Sequence, residues 1–347
     1  MRTAGLILSN LHDAELPALT GKRTMGAVPF GGRYRLIDFP LSAMVNAGLT
    51  NIHIIAHHNY QSLMEHIGAG KDWDLARHNG GIRICPPYSA AFANPAECYD
   101  SRMQSLVSIR GLIDRLSEDE VLCCDCDTVS VPDLAALIAA HRESGLAMTV
   151  GTAYGDTPDE GTPLHIWIAK TSFLREILRE AEAKGYKSFQ NDVIRRQSAK
   201  GNVAVFRFTE RFFRISSLVA YYRLHMMIAG SSALREELLE NRERPIFTKV
   251  RNLPPVRYGA SAEVESSLIA DGCVIEGKVV NSVIFCGVHI GKGCVVENSI
   301  LMENCHLSGR SRVGSVILDK GVSLGDGVTL HGHSELPFFV EEGRVIH

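Results

Sequence analysis

No stretch of the 347-residue chain reaches the roughly 18 consecutive apolar residues that a membrane-spanning helix requires. At the N-terminus, MRTAGLILSNLHDAEL has one arginine and an apolar run broken by Asn10, His12 and Asp13, too short for the core of a secretory leader. An excess of one charge is missing as well. Thirty-six Lys+Arg face 39 Asp+Glu, a formal net charge of -3, which excludes general nucleic-acid or acidic-membrane binding through phosphate neutralisation. Paired cysteine clusters are also lacking. The nine cysteines are an odd number and sit mostly in apolar runs such as VLCCDCD and DGCVIEG, as small buried hydrophobes would. Cys123, Cys124 and Cys126 find no second Cys/His cluster to complete a zinc site. The expectation is a cytoplasmic protein without disulfides, bound metal, nucleic acid or membrane.

What is present is a folded composition, 45% hydrophobic and 22% charged, long enough for two domains. From residue 260 helical periodicity stops and short aliphatic stretches recur between Gly, Asn and Ser. Aliphatics fall at Ile284, Ile290 and Val296, then Leu301, Leu307 and Val313, then Leu318, Leu324 and Leu330. Each triplet steps by six, and successive triplets are offset by 17. Six residues per face and three faces per turn describe a parallel β-solenoid of triangular section with one inward aliphatic per face. Gly291, Gly314 and Gly325 each follow an inward aliphatic and are expected at corners with positive φ.

Before the repeat lies a hinge, NRERPIFTKVRNLPPVRYG, where Pro245, Pro254 and Pro255 bar a continuous helix. The division is placed at 1–245 and 246–347. In the first part TAGLILS, NIHIIAH and DEVLCCDCD read as strands, while LSAMVNAGL, QSLMEHIGAG and PDLAALIAAHRESG read as helices. The alternation predicts an α/β, Rossmann-like domain: a mostly parallel sheet with helices on both faces and a ligand crevice at the carboxyl ends of the strands.

GAVPFGGRYRLIDFPLSAMVNAG (26–48), GAGKDWDL (68–75) and PIFTKVRNLPP resemble the ADP-glucose pyrophosphorylases, the glucose-1-phosphate adenylyltransferases of glycogen and starch synthesis. The resemblance runs nearly end to end. It implies a nucleotidyltransferase-type α/β domain followed by a left-handed parallel β-helix built on hexapeptide repeats. The implied reaction joins ATP and glucose 1-phosphate into ADP-glucose and diphosphate, with Mg²⁺ and cations stabilising the transferring phosphoryl group.

The chain departs from that family where the chemistry is done. The family's GGxGTRL loop, whose bare N–H groups approach the nucleotide phosphates, has Asn10 to Leu16 as its counterpart. Its adjoining glycines are gone and Glu15 stands at the arginine position. Met25 replaces the lysine of RAKPAV. Of the two acidic metal ligands, Asp127 in DCDT matches the first, while Arg214 in FFRISS stands at the second. Ser101, Arg102 and Met103 replace the GTA segment near the nucleotide base. The connection from MTVGT to LHIWIAK is short, where catalytic members carry strands and a lysine for the sugar phosphate. The resemblance is therefore to the noncatalytic, regulatory type of subunit, with no cofactor of its own and Mg²⁺ in a catalytic partner. An active glucose-1-phosphate adenylyltransferase is the alternative. A third reading, a β-helix acyltransferase using His289, His306, His331 or His333 as base, is opposed by the large α/β domain.

Lys22, Arg23, Arg33 and Arg35 remain as a cationic set. By resemblance Lys22, Arg23 and Arg35 bind the phosphates of an allosteric effector, such as fructose 1,6-bisphosphate, near the contact of the two domains; the plain alternative is a solvated basic turn. Asp127 and Asp192 read as vestiges of a nucleotide or sugar pocket, and Asp127 equally as a strand-end cap. His57, His58 and His66 read as surface or subunit-contact residues. The implied assembly is a hetero-oligomer, tetrameric by resemblance, with a catalytic homologue.

Overall fold

A computed structural model describes residues 1–77, 80–86, 101–153 and 163–347. The N-terminal sheet has seven strands: β1 (Thr3–Leu8), β2 (Asn51–Ile55), β3 (Gly81–Cys85), β4 (Glu120–Asp125), β5 (Met148–Thr152), β6 (Pro163–Lys170) and β7 (Val203–Arg207). Their order is β7-β5-β6-β4-β1-β2-β3. Neighbours pair in parallel except β6, which runs antiparallel to both β4 and β5. The short connection noted in the sequence thus joins β5 to its antiparallel neighbour β6; residues 154–162 lie outside the described residues.

β1 sits near the centre, and its TAGLIL reads as an unbroken apolar run because both faces are covered. Period-two alternation sorts the side chains. Ile7 packs with helices Asp38–Asn46 and Leu134–Ser144 on one face, and Leu6 and Leu8 pack with helices Arg102–Ser108 and Thr171–Lys184 on the other. The helix read at 132–145 starts at Leu134, where the Asp133 side chain accepts from the Ala136 N–H (2.9 Å), and stops at Gly145, whose φ is +66°.

The C-terminal part is a left-handed parallel β-helix with three sheets. The predicted triplets stack one on another: Ile284 on Leu301 and Leu318, Ile290 on Leu307 and Leu324, and Val296 on Val313 and Leu330. Two further turns escape the 17-residue period. Ile269 and Ile275 stack under Ile284 and Ile290 with 15 residues between partners, and Val340 and Ile346 cap Leu318 and Leu324 with 22. Loops at the corners absorb the differences while the inward face stays in register.

The glycine expectation needs correction. Gly291, Gly314 and Gly325 are not among the positive-φ residues; one line of left-handed corners is held by Ser266, Asn281, Asn298 and Ser315, and other positive-φ positions by different glycines, such as Gly272, Gly287 and Gly321. Short polar side chains suit this because they bond along the stack, as Asn281 Nδ2 does to Asn298 Oδ1 (2.7 Å). Gly291 and Gly325 are needed for close approach: a Cβ there would lie 3.0 Å from the Leu307 carbonyl oxygen and 3.3 Å from that of Ile346.

The two parts share a core. Met25, Val28, Phe30, Tyr221 and Ile228 pack with Val283, Phe285, Ile300, Met302 and Ile317 of the β-helix. The last helix before the hinge ends at Leu238 and the first β-helix strand begins at Arg257. Between them the hinge lies along helix Asp38–Asn46, where Phe247 N donates to Ser42 Oγ (2.8 Å) and Asn46 Nδ2 to the Pro245 carbonyl (3.1 Å). The FGGRYR string contributes to the joint too: Gly31 and Gly32 have φ of +56° and +83°, and a Cβ on Gly32 would stand 3.7 Å from the Ile284 carbonyl oxygen.

Candidate functional site

The crevice at the carboxyl ends of β1 and β4 is where a nucleotide would be expected in this fold. After β1 the chain does not open into a phosphate cradle. It closes on itself: the N–H groups of Asp13, Glu15 and Leu16 donate to the carbonyls of Asn10, His12 and Asp13 at 3.0 to 3.2 Å. Asn10 and Asp13 complete the closure, with Asn10 Nδ2 on Asp13 Oδ2 (2.5 Å) and Met25 N on Asp13 Oδ1 (2.7 Å). Burial pushes the Asp13 carboxyl up to about 6 despite these bonds.

Opposite the loop stand Asp125, the last residue of β4, and Asp127, both buried. Each carries a guanidinium. Arg102 pairs with Asp125, and Arg214 Nε donates to Asp127 Oδ2 (2.8 Å). His12 Nε2 lies 2.9 Å from Asp125 Oδ2 and 3.5 Å from Asp127 Oδ2, while its Nδ1 lies 3.1 Å from Glu15 Oε1. Burial alone would lower the imidazole pKa, but the Asp125 hydrogen bond, the charges of Asp127 and Asp125 and the Glu15 hydrogen bond raise it to about 9. Asp125 is held well below the carboxylate range, against its burial, by Arg102 and the two imidazoles of His12 and His165. Three carboxylates are thus balanced by two guanidiniums and an imidazolium.

One feature of this network is a reciprocal exchange. Glu15, which the resemblance sets at a cation's position, and Arg214, which it sets at an acid's, meet at 3.2 Å. The pairing, with Arg214 also on Asp127 (2.8 Å), keeps the crevice locally neutral. The fit of a divalent cation follows from the same contacts. His12, Asp125, Asp127 and His165 bring one ligand atom each within 4.8 Å of one another, a grouping that sequence spacing did not reveal. Both carboxylates, however, are already bonded to guanidiniums. A Mg²⁺ ion, which needs oxygen ligands in near-ideal octahedral geometry, does not fit this set as it stands.

Ser101 caps helix Arg102–Ser108 through the Gln104 N–H (3.3 Å), aiming Arg102 at Asp125, and Met103 is in the core. Met25 is fully buried in the core shared with the β-helix. Asp192 stands apart from the crevice. Its partners are the N–H groups of Lys187 and Ser188 and the Arg196 guanidinium, so it caps its own segment. Of the three histidines read as surface residues, only His58 is exposed. His66 is buried with Nε2 2.6 Å from Asp38 Oδ1, and burial lowers the His57 imidazole to about 4.

The cationic set divides. Lys22 is exposed. Arg23 is buried at the domain junction, where Nη1 and Nη2 donate to Asp319 Oδ1 and Oδ2 (2.8 and 2.9 Å) and Nη2 also to Glu342 (3.0 Å). Arg35 is buried nearby; its Nη1 donates to the Ser62 carbonyl and hydroxyl (2.5 and 2.8 Å) while Nε has no partner. Burial lowers its pKa, opposed by Glu303 and Asp38. Glu303 in turn pairs with Arg251 (3.1 Å) and Lys320 (3.6 Å). Sequence reasoning missed Glu303, Asp319 and Lys320, because nothing in a hexad pattern says which outward residue will face the other domain.

An α/β sheet with its crevice at the strand ends, joined to a hexapeptide β-helix, defines a nucleotidyltransferase-fold protein. The Nucleotidyl transferase family profile matches residues 5–160, and that of the GlmU-like C-terminal hexapeptide matches 255–335. The chain is 31% identical to the Glycogen biosynthesis protein GlgD of Bacillus subtilis (strain 168) and 35% identical to that of Geobacillus stearothermophilus, each over 98% of this chain and 96% of the relative. Against the Glucose-1-phosphate adenylyltransferase of Clostridium perfringens (strain SM101 / Type A) identity is 27%, over 93% of this chain and 91% of the relative. The chain belongs to the GlgD family of glycogen biosynthesis proteins.

Among the described residues no helix is long and apolar enough to cross a membrane. The described cysteines are all free, and seven of the eight are buried; Cys98 lies outside the described residues.

Proposed function

We propose that this chain is a noncatalytic, regulatory subunit of a glucose-1-phosphate adenylyltransferase assembly serving glycogen biosynthesis. It acts by contact with a catalytic homologue and by binding a phosphorylated effector. The observation that carries the first half is the Glu15–Arg214 exchange over Asp127. An adenylyl transfer needs cations against the phosphates and acids against Mg²⁺, and here each stands in the other's place. The purified chain should make no ADP-glucose from ATP and glucose 1-phosphate. Turnover near 1 s⁻¹, the lower end for ordinary enzymes, would establish the active transferase instead.

The regulatory half rests on the domain junction. Arg35 and Lys320, with Arg23 and Arg251, place cations where both domains meet, Lys22 stands exposed next to Arg23 in the chain, and Arg35 keeps an unpartnered Nε. A sugar bisphosphate such as fructose 1,6-bisphosphate would take charge-assisted bonds from them. Arg23 is held by Asp319, so it serves such a site mainly by fixing the junction. Because an effector and a partner subunit must influence each other reciprocally, the test uses the mixed complex with a catalytic homologue. Lys22→Ala and Arg35→Ala should each raise the effector concentration needed for activation about tenfold, with circular dichroism confirming that both variants are folded. Unchanged activation curves for both, or failure of the chain to associate with the homologue, would overturn the regulatory reading.

A further inference from the structure

We propose that this chain carries a second anion site, a cleft at the N-terminal ends of the parallel strands that takes a small molecule bearing two or more phosphate groups. It lies at the end of the sheet opposite Asp125 and His12 and is independent of the reading given above for the junction.

The cleft has a volume of about 830 Å³, ample for a nucleotide-sized ligand. Four elements supply its arginines: Arg2 ahead of β1, Arg83 from β3, Arg115 at the end of helix Arg110–Arg115, and Arg142 from helix Leu134–Ser144. Among the described residues that line it, Glu118 is the one carboxylate, and Glu118 accepts from Asn51 Nδ2 (2.9 Å).

The arginines are not alike. Arg142 is balanced by Glu120, outside the lining, and is fixed by bonds to Glu120 Oε2 (2.8 Å), the Met1 carbonyl (3.1 Å) and Thr3 Oγ1 (3.2 Å). Arg2 Nη2 donates to the Ser117 carbonyl (3.2 Å), which holds the side chain without neutralising it. The guanidiniums of Arg83 and Arg115 have no hydrogen bond or ion pair among the described residues. His53 lines the cleft, is 2% exposed, and its Nε2 has no partner; Asn51 Oδ1 is likewise buried and unpartnered. Burial and the Arg83 charge lower the His53 pKa to about 4, so the imidazole is neutral near pH 7, and its Nδ1 lies 3.9 Å from the Cys85 Sγ.

Guanidinium charges repel one another, and with Arg142 balanced by Glu120 three exposed guanidiniums from separate elements still face one concavity whose lining offers the single carboxylate of Glu118. It is the arrangement that bidentate recognition of phosphate needs, because each planar fork matches two phosphate oxygens. Two free forks, Arg83 and Arg115, with the Arg2 guanidinium beside them, suit more than one phosphate group. Walls of Ala47, Leu49, Leu112 and Leu116 leave room for an apolar or ring-bearing part of the ligand.

The test is isothermal titration calorimetry on the whole chain at about 0.15 M salt, where diffuse surface attraction is screened. Inorganic pyrophosphate and ADP are the probes, and the proteins are the wild type, the double variant Arg83→Gln/Arg115→Gln and Arg35→Ala. One-site binding that the double variant weakens at least tenfold, and that Arg35→Ala leaves unchanged, is the expected result. Tighter binding of ADP than of pyrophosphate would assign the cleft to an organic diphosphate, and equal binding to the inorganic group. No heat from either probe at millimolar concentration, or binding that survives the double variant, would overturn the proposal. Since Arg83 and Arg115 carry no partner, their removal should leave the melting temperature in place, and Arg83→Lys/Arg115→Lys gives a charged control that retains partial binding.

Discussion

The imidazolium of His12 makes the closed crevice a measurable contributor to stability. Its pKa is 6.5 when solvated and about 9 in the fold. A group whose folded pKa is raised stabilises fully below the unfolded value and loses that contribution as pH climbs through the folded one. The window therefore runs from about pH 6.5 to 9. Each pKa unit corresponds to about 1.4 kcal/mol, so the whole contribution is about 3 kcal/mol, of which about 2.4 kcal/mol should vanish between pH 6 and pH 8.5. The imidazoles of His53, His57 and His225, lowered to about 4, each add about 0.8 kcal/mol of stability as pH rises from 6 to 8.5, in the opposite sense, but they do so in wild type and variant alike and cancel in the difference. Asp13, raised to about 6, loses its contribution mostly below the window, and the buried cysteine thiols matter above it. Urea unfolding of the wild type and of His12→Gln, which keeps an amide donor for Asp125 but does not titrate, should show the two curves converging with rising pH. If the stability difference between them is the same at pH 6 and pH 8.5, the claim of an imidazolium held among Asp125, Asp127 and Glu15 is wrong.

Two further tests concern the joint between the domains and the core of the β-helix. Arg23→Met should cost about 3–5 kcal/mol, because Asp319 is left buried and uncompensated; adding Asp319→Leu should recover most of that loss, and urea midpoints that fall further in the double variant would contradict it. Leu307→Ala removes a fully buried side chain from the middle of a stack flanked by Ile290 and Leu324. It should cost about 2–5 kcal/mol, and a loss below 1 kcal/mol by the same measurement would mean the axial core collapses to fill the gap.

Much of the architecture was legible before any coordinates. Strand periodicity and helix periodicity are local, so TAGLIL, NIHII and EVLCCD announced their strands, and the hexad aliphatics of residues 284 to 330 announced the coils with their register. The same locality explains the failures. Gly291 and Gly325 were assigned to corners by their type, although their role is to let the next coil's carbonyls approach, a contact between residues 16 and 21 positions apart. His66 lies on a helix whose apolar face also carries Leu63 and Ile67, and its partner Asp38 sits 28 residues earlier. Neither relation leaves a trace in spacing.

The crevice divides along the same line. Residue types at Glu15, Met25 and Arg214 carry the expectation that phosphate and metal chemistry has lost its groups, because the sign of a charge and the apolar nature of a thioether are properties of the residue alone. How the losses compensate one another was not readable. Arg214 meets Glu15 from 199 positions away, Arg102 meets Asp125 across 23, and His12 bridges Glu15, Asp125 and Asp127. Arg23 shows the limit most clearly: its type advertised a phosphate ligand, but a guanidinium's role depends on which acid the fold brings to it. That acid, Asp319, arrives from 296 residues downstream only because the β-helix docks its face against the first domain.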